Sequence, residues 1–394
     1  MPWKEIDVMS LKKEFVLKSL QEGICFAELC REYGISTKCG YKWKKRFIEK
    51  GFQGLEELSR APARNGKATP EHVVLEIIRL KGQKKHWGPK KILEIYTRAH
   101  PEETVPVIST VERILKKAGL VEVRKRKRFQ TVNRIRNRVV PTKPNEVWTV
   151  DFKGWWYTPH KEKCEPLTVR DGYSKYILSI KILGKGDIPS VKHEFERLFT
   201  EYGLPESIRS DNGPPFASAF NYLGLTKLAV WWMALGIKLD RIEPGSPYQN
   251  GSHERMHLDM KRELEEKIDG DLLYHQKVFD KWREEYNKVR PHEALGMKTP
   301  VSVYTKSTKK YDPILDGIDY PSGFRSRTVN DRGYINFRNE RYFIGNPFAG
   351  YNVGVKIHRN GNHEVWFDDL FLGIMDSKLG LIVHQENTKK RVVS

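Results

Sequence analysis

Apolar residues recur at helical spacing through the first fifty positions. Leu11, Phe15, Val16 and Leu20 form one stripe, ended by Gly23, and Phe26, Leu29 and Tyr33 form a second, ended by Gly34. Ser36 is placed to cap a third helix through Tyr41, Trp43 and Phe47. Gly40 falls inside that helix at a cost of roughly 1 kcal/mol relative to Ala, which calls for close packing there. A second set follows. Pro70 opens a helix carrying Val73, Val74, Ile77, Ile78 and Leu80, Gly88-Pro89 starts another, and Ser109-Thr110 can cap a third that holds Val111, Ile114 and Leu115 and closes at Gly119. Helix, glycine turn, helix is the helix-turn-helix arrangement, so the front is expected to be an all-α tandem of two such units.

After residue 144 the periodicity shortens. Strands are expected over 146–157, 167–170 and 176–183, then a helix at 190–202, a strand at 207–210, a helical stretch at 217–235, a strand at 237–242 and a charged helix at 250–268. That order fits a mixed α/β sheet. From about Phe324, short runs such as Tyr334-Ile335-Asn336-Phe337 alternate with Gly, Asn and Asp turns, as in a small all-β barrel. The expected division is residues 1–60 and 66–122 for the two helical units, a basic linker at 123–144, the α/β core at 145–306, a linker at 307–326 and the barrel at 327–394.

Charge changes the picture. The chain of 394 residues has 70 Lys+Arg against 50 Asp+Glu, a net +20. Residues 1–144 hold 33 basic and 16 acidic residues, whereas residues 145–394 hold 37 and 34. The excess therefore sits at one end, as expected if that end docks on phosphates. Arg124, Lys125, Arg126, Lys127 and Arg128, with Arg134, Arg136 and Arg138, form a run without a helical stripe, whose self-repulsion a nucleic acid would relieve. The helix after Ser36 carries Lys38, Lys42, Lys44, Lys45 and Arg46, cations suited to phosphate and base-edge contacts in a major groove. Double-stranded DNA is the expected partner. No apolar run is long enough to span a membrane, and the start lacks a signal-like stretch, so a cytoplasmic, nucleoid-associated location is expected. Cys25, Cys30, Cys39 and Cys164 show no paired spacing and read as reduced core thiols.

Three acids stand out. Asp151 lies in Val147-Trp148-Thr149-Val150-Asp151-Phe152, a strand-forming run where a carboxylate needs a partner such as a metal or a base. Asp211 ends a short strand before Asn212-Gly213. Glu254 opens a helix after a loop bounded by Pro244-Gly245 and Gly251, on which Tyr248, Gln249 and Asn250 are candidate DNA contacts. Asp171 reads as a turn residue between strands. Trp155-Trp156 and Trp231-Trp232 read as buried aromatics rather than platforms for flipped bases.

Trp148-Thr149-Val150-Asp151, Ser210-Asp211-Asn212-Gly213-Pro214-Pro215-Phe216 and Ser246-Pro247-Tyr248-Gln249-Asn250-Gly251-Ser252-His253-Glu254-Arg255 resemble the three acidic motifs of bacterial insertion-sequence transposases of the retroviral-integrase-like DDE superfamily. Arg290-Pro291-His292-Glu293-Ala294-Leu295 with Thr299-Pro300 resembles the segment that closes their catalytic core, and Tyr33-Gly34-Ile35-Ser36 and Tyr41-Lys42-Trp43 resemble their leading helix-turn-helix. The resemblance implies a ribonuclease-H-like core whose Asp151, Asp211 and Glu254 are catalytic and bind two Mg²⁺ ions, with Mn²⁺ able to substitute. It also implies that Lys261 faces DNA near the acids. The implied activity is cleavage at the terminal inverted repeats of a mobile element and 3′-OH strand transfer into target DNA, by a homo-oligomer. The Asp211–Glu254 interval is longer than usual for the family, and the extra residues are expected around Asn221–Thr226 as an extended loop or helix.

Two rivals stand beside this reading. One is a catalytically silent, transposase-derived DNA-binding regulator, which the presence of all three acids disfavours. The other is a zinc peptidase, because His253-Glu254-Arg255-Met256-His257 has the H-E-x-x-H spacing. No zinc is expected, since proteolysis leaves the basic front unexplained, and His253 and His257 are expected on the exposed face of their helix.

Overall fold

The computed structural model describes residues 7–57, 69–121, 140–219, 221–242, 250–264, 269–314, 317–357 and 362–383. The chain divides into two compact units, Met1–Thr69 and Pro70–Ser394.

In the first unit, α1 (Val8–Lys18), α2 (Phe26–Glu32) and α3 (Thr37–Lys50) close around Phe15, Val16, Leu29, Cys30, Trp43 and Leu55. The turn between α2 and α3 passes through Gly34 at φ +64°, which glycine adopts without a Cβ clash. The Ser36 hydroxyl accepts from the Cys39 N–H at 3.2 Å, capping α3 as expected. Gly40 is explained by packing: a Cβ there would lie 2.6 Å from Cys30 Sγ and 3.0 Å from both Phe15 and Phe26. Only glycine lets α3 approach α1 and α2 this closely. Leu20 lies beyond the end of α1 and is 45% exposed, so the first stripe is shorter than the spacing suggested.

The second unit opens with α4 (Glu71–Gln83), α5 (Pro89–Ala99) and α6 (Ile108–Lys117), sharing a core of Val73, Ile77, Leu80, Trp87, Ile92, Tyr96, Val111 and Leu115. α6 begins at Ile108 after an extended Val107 without a side-chain cap, so the expected Ser109-Thr110 cap is corrected to positions inside the first turn.

The central sheet has the order β5-β4-β1-β6-β7. Its strands are β1 (Val147–Phe152), β4 (Pro166–Asp171), antiparallel to β1, and β5 (Ile177–Ile182), antiparallel to β4, then β6 (Ser207–Ser210) and β7 (Lys238–Arg241), which run parallel to β1. The strand expected over 146–157 breaks after Phe152. Trp156–Tyr157 (β2) instead pairs with Lys163–Cys164 (β3) in a separate hairpin. On one face α7 (Ile188–Tyr202) and α8 (Lys227–Ala234) bury Trp148, Val150, Leu167 and Val169. On the other, α9 (Gly251–Leu264) and α10 (Leu272–Lys288) bury Ile177 and Ile180 through Met256, Met260, Phe279 and Trp282. Alternation along β1 thus sends its even positions to α7 and α8 and leaves Thr149 and Asp151 toward α9. The helical stretch expected at 217–235 is only α8, preceded by a single 3-10 turn at Tyr222–Gly224.

After α11 (Pro300–Val303) the chain runs back along α7. Ser307 N–H donates to the Tyr202 carbonyl and Leu204 N–H to the Lys309 carbonyl, each at 2.8 Å. A seven-stranded, nearly closed barrel-like sheet follows in the order β8-β11-β12-β13-β14-β10-β9. Its strands are β8 (Phe324–Thr328), β9 (Tyr334–Phe337), β10 (Glu340–Phe343), β11 (Asn352–Ile357), β12 (His363–Phe367), β13 (Leu370–Asp376) and β14 (Leu381–Val383). Its apolar interior is continuous with Leu225, Ala229 and Val230 at the outer side of α8. The extra residues between Asp211 and Glu254 serve this junction, because the Tyr222 hydroxyl donates to the Leu372 carbonyl.

Candidate active site

β1 and β6 pair in parallel with Val147 opposite Ser207, Trp148 opposite Ile208 and Thr149 opposite Arg209. Continuing that register brings Asp151 level with Asp211 on neighbouring strands, which lie about 4.8 Å apart. Glu254 comes from the first turn of α9. Burial is the largest influence on Asp151 and raises its carboxyl to about 7, with further upward pushes from the charges of Asp211 and Glu254. Burial also raises Asp211, against a lowering hydrogen bond from the Gly213 backbone. Asp211 Oδ1 is buried without a hydrogen-bond partner. The carboxylates sense one another but are not drawn to ligand distance: among the described residues no group of three or more His, Cys, Asp or Glu stands close enough to grip an ion. A divalent cation bound among them would offset the like-charge repulsion that helps raise Asp151. An oxygen-only donor set with one orphaned buried oxygen fits a hard cation of the Mg²⁺ type.

A polar layer fixes α9 on the sheet. Arg170 on β4 is 2% exposed and donates to the Ser252 carbonyl at 2.7 Å and to its hydroxyl at 2.6 Å. His253 is wholly buried, with Nδ1 2.9 Å from Thr149 Oγ1 and Nε2 2.7 Å from Thr168 Oγ1. The Thr168 hydroxyl also meets His257 Nε2 at 2.7 Å and donates to the Asp151 carbonyl at 2.8 Å. Its single proton is then spent, so both imidazole Nε2–H groups donate to it. Burial holds His253 well below the usual histidine range and His257 down to about 3. The expectation that both histidines are exposed is therefore corrected. With Met256 and Met260 they lie on the inward stripe of α9, while Arg255 is turned out, with its side chain 62% exposed and 3.3 Å from Asp259. The zinc-peptidase pattern fails on the same geometry, because both ring nitrogens of His253 are already occupied.

The other expected residues divide. Lys38, Lys42 and Lys45 are exposed on α3, and Arg46 is half-buried against the Trp43 ring. Lys44, by contrast, is tied to the Ser19 carbonyl at 2.7 Å. Lys261 is exposed on α9, two turns beyond Glu254. Asn250 is 6% exposed, so it is buried at the helix start rather than presented on a loop. Tyr248, Gln249, Arg124, Lys125, Arg126, Lys127, Arg128, Arg134, Arg136 and Arg138 lie outside the described residues. Asp171 accepts from the backbone of Asn145 at 2.8 Å and from the N–H and hydroxyl of Ser174 at 2.6 Å, which makes it a fully occupied turn carboxylate. Trp231 and Trp232 are buried as expected, whereas Trp155 is 57% exposed, a correction. The four cysteines are free thiols, with Cys30 and Cys164 buried and Cys25 exposed. Sequence reasoning missed Arg170, Thr168 and the inward histidines. The formal H-E-x-x-H spacing was the available signal that His253 and His257 share one face.

Residues 141–247 and 235–300 match two integrase core domain profiles, and residues 12–63 match a helix-turn-helix domain. The chain is 28% identical over 239 residues to an uncharacterised protein of insertion element IS407 from Burkholderia multivorans, covering 59% of this chain and 82% of that one. It is 27% identical over 191 residues to an uncharacterised protein of insertion element IS476 from Xanthomonas euvesicatoria, covering 48% of this chain and 53% of that one. Among solved structures, the HTLV-2 integrase catalytic core domain in complex with magnesium matches at TM-score 0.32 and 19% identity, over 41% of this chain and 97% of that one. A simian T-cell lymphotropic virus intasome matches at TM-score 0.37 and 13% identity, over 75% and 94%.

Proposed function

We propose that this chain, which carries an integrase core domain behind a helix-turn-helix domain and is homologous to insertion-element proteins, is a DDE transposase acting on the ends of its own element. The observation that carries the reading is the meeting of Asp151, on β1, with the charges of Asp211 after β6 and Glu254 on α9, where Asp211 Oδ1 is left without a partner. These three carboxylates would hold Mg²⁺, and a bound pair of such ions supplies nucleophile activation and leaving-oxygen stabilisation. The chain's own residues do the positioning. Parallel pairing of β1 with β6 brings two carboxylates to neighbouring strands, and Arg170 and His253 seat the start of α9, which carries the exposed Glu254. Lys261 and Lys153 flank the acids with positive charge suited to the phosphates of a strand entering the site.

The reaction is phosphodiester hydrolysis at the element end, freeing a 3′-OH, followed by attack of that hydroxyl on a target phosphodiester. The front helices read the terminal repeats through Lys38, Lys42, Lys45 and Arg46. Joining two ends to one target calls for more than one subunit. No described helix is long and apolar enough to cross a membrane. The test is incubation of labelled candidate element ends with Mg²⁺, mapping nicks to the nucleotide. Asp211→Asn should abolish nicking and leave end binding within about twofold, and a variant that still cuts would overturn the assignment.

A further inference from the structure

The H-E-x-x-H spacing around Glu254 leaves its two histidines in different states. His253 commits both ring nitrogens to the sheet, at Thr149 and Thr168. His257 commits only one. Its Nε2–H donates to the Thr168 hydroxyl at 2.7 Å, which fixes the tautomer and leaves Nδ1 of the neutral ring with a lone pair. Among the described residues no hydrogen-bond donor reaches that nitrogen. Instead Nδ1 faces Asp151 Oδ2 at 3.9 Å. Two acceptors set opposite one another repel unless a proton or a cation lies between them.

The placement of the ring follows from strand register. Thr168 is the partner of Asp151 across β1 and β4, and its hydroxyl also donates to the Asp151 carbonyl. One hydroxyl thus holds both the imidazole and the strand that bears the carboxylate. A histidine that ligates a metal through one nitrogen ordinarily donates the N–H of the other to a nearby oxygen in this way. The helix adds a second feature. Glu254 and His257 stand three residues apart on α9, hence side by side on its surface. E-x-x-H is the spacing by which one helix offers a carboxylate and an imidazole to a metal in carboxylate-rich two-metal proteins. Donors about 2.1 Å from one ion lie about 3.0 Å apart at a right angle and about 4.2 Å apart when opposite. The gap of 3.9 Å falls within that range. The side chains of His257 and Asp151 keep 12% and 23% of their surface, so neither is sealed from solvent.

We propose that His257 Nδ1 is a further ligand, beside Asp151, for the divalent cation held by Asp151, Asp211 and Glu254. The inference rests on the reading of those three acids as metal ligands. It adds one nitrogen to an otherwise oxygen-donor set. Such a nitrogen favours Mn²⁺ and the later first-row ions over Mg²⁺, which keeps to oxygen ligands. The pattern that suggested zinc thus contributes one histidine, not two, to a site of carboxylates.

The test is pulsed electron paramagnetic resonance of Mn²⁺ bound to the full chain. Modulation from a directly bound nitrogen should appear, and its frequencies should change when the protein is grown with nitrogen-15 histidine, a comparison that needs no substitution. His257→Gln keeps an N–H for Thr168 and removes the ring nitrogen that faces Asp151. It should lose the modulation and weaken Mn²⁺ binding by at least the roughly tenfold that loss of a supporting group alone costs, with Mg²⁺ binding weakened less. Thermal melts in chelator report whether the variant stays folded; if it does not, the isotope comparison on the wild type decides by itself. Bound Mn²⁺ without nitrogen modulation in the wild type, or modulation that survives His257→Gln, would overturn the proposal and leave the three acids standing. A proton on Asp151 would then be what joins the carboxylate to Nδ1. Failure of the wild type to bind Mn²⁺ at all would overturn the reading of the acids, and the proposal with it.

Discussion

Asp151 shows how one side chain feels its position. Its folded-state carboxyl lies near 7, above its ordinary value of 3.8, chiefly through burial and then through Asp211 and Glu254. A raised carboxyl favours the folded state fully below about pH 4, and that contribution is lost as pH rises through about 7. In chelator, Asp151→Asn should therefore melt higher than wild type at pH 8, by no more than the equivalent of about 4 kcal/mol. The gap should close toward pH 4 in thermal melts, and a gap independent of pH would mean that repulsion and burial at this site had been misjudged. The peculiarity of Asp151 was legible in the sequence, since a carboxylate in Val147-Trp148-Thr149-Val150 has no apolar reason to be there. The burial of His253 and His257 was not legible, because helical spacing shows that two residues share a face and not which way it turns.

At the scale of elements, α9 is the piece on which the site depends. Its start is held by Arg170, and its last turns by Arg290, which is 3% exposed and reaches Asp259 at 2.7 Å and Glu263 at 2.6 Å. Trp87, from the helices before the core, donates to the same Glu263 at 3.2 Å, and Lys84 pairs with Glu285 on α10 at 2.5 Å. The second helical unit, which has its own apolar interior, is thus bound to the core by polar contacts. Arg290→Met would leave Asp259 with Arg255 alone and Glu263 with the Trp87 and Trp282 N–H groups alone, so it should destabilise by about 1.5–3 kcal/mol in urea unfolding. A loss under about 1 kcal/mol would show that α9 is held by its apolar face alone. The motif around Arg290 was visible in the sequence. Its partners, some thirty residues earlier in the chain, were brought to it by folding.

For the molecule as a whole, charge and chemistry sit in different parts of the chain. Residues 1–144 carry 33 of the 70 Lys and Arg against only 16 of the 50 acids, and the expected carboxylates all follow. Replacing Arg124, Lys125, Arg126, Lys127 and Arg128 by Ser should reduce the steepness of log affinity against log salt by up to about 4.5, if each cation displaces one counterion from duplex DNA. An unchanged slope would remove that run from the DNA contacts. The barrel-like sheet adds little charge, but its interior runs on from α8, which ties it to the layer beneath the site.

Periodicity, glycine positions and charge runs by themselves determined the helical front, the shift to a mixed sheet, the β-rich end and the three acids, because these follow from interactions between residues close in the chain. Other features followed only from tertiary structure. They include the register that sets Asp151 beside Asp211, the inward turn of His253, the docking of the extra Tyr222 segment on the barrel and the exposure of Trp155. Each depends on contacts between residues far apart in sequence, where the free energy lies in burial and pairing across elements rather than in the preference of any single segment.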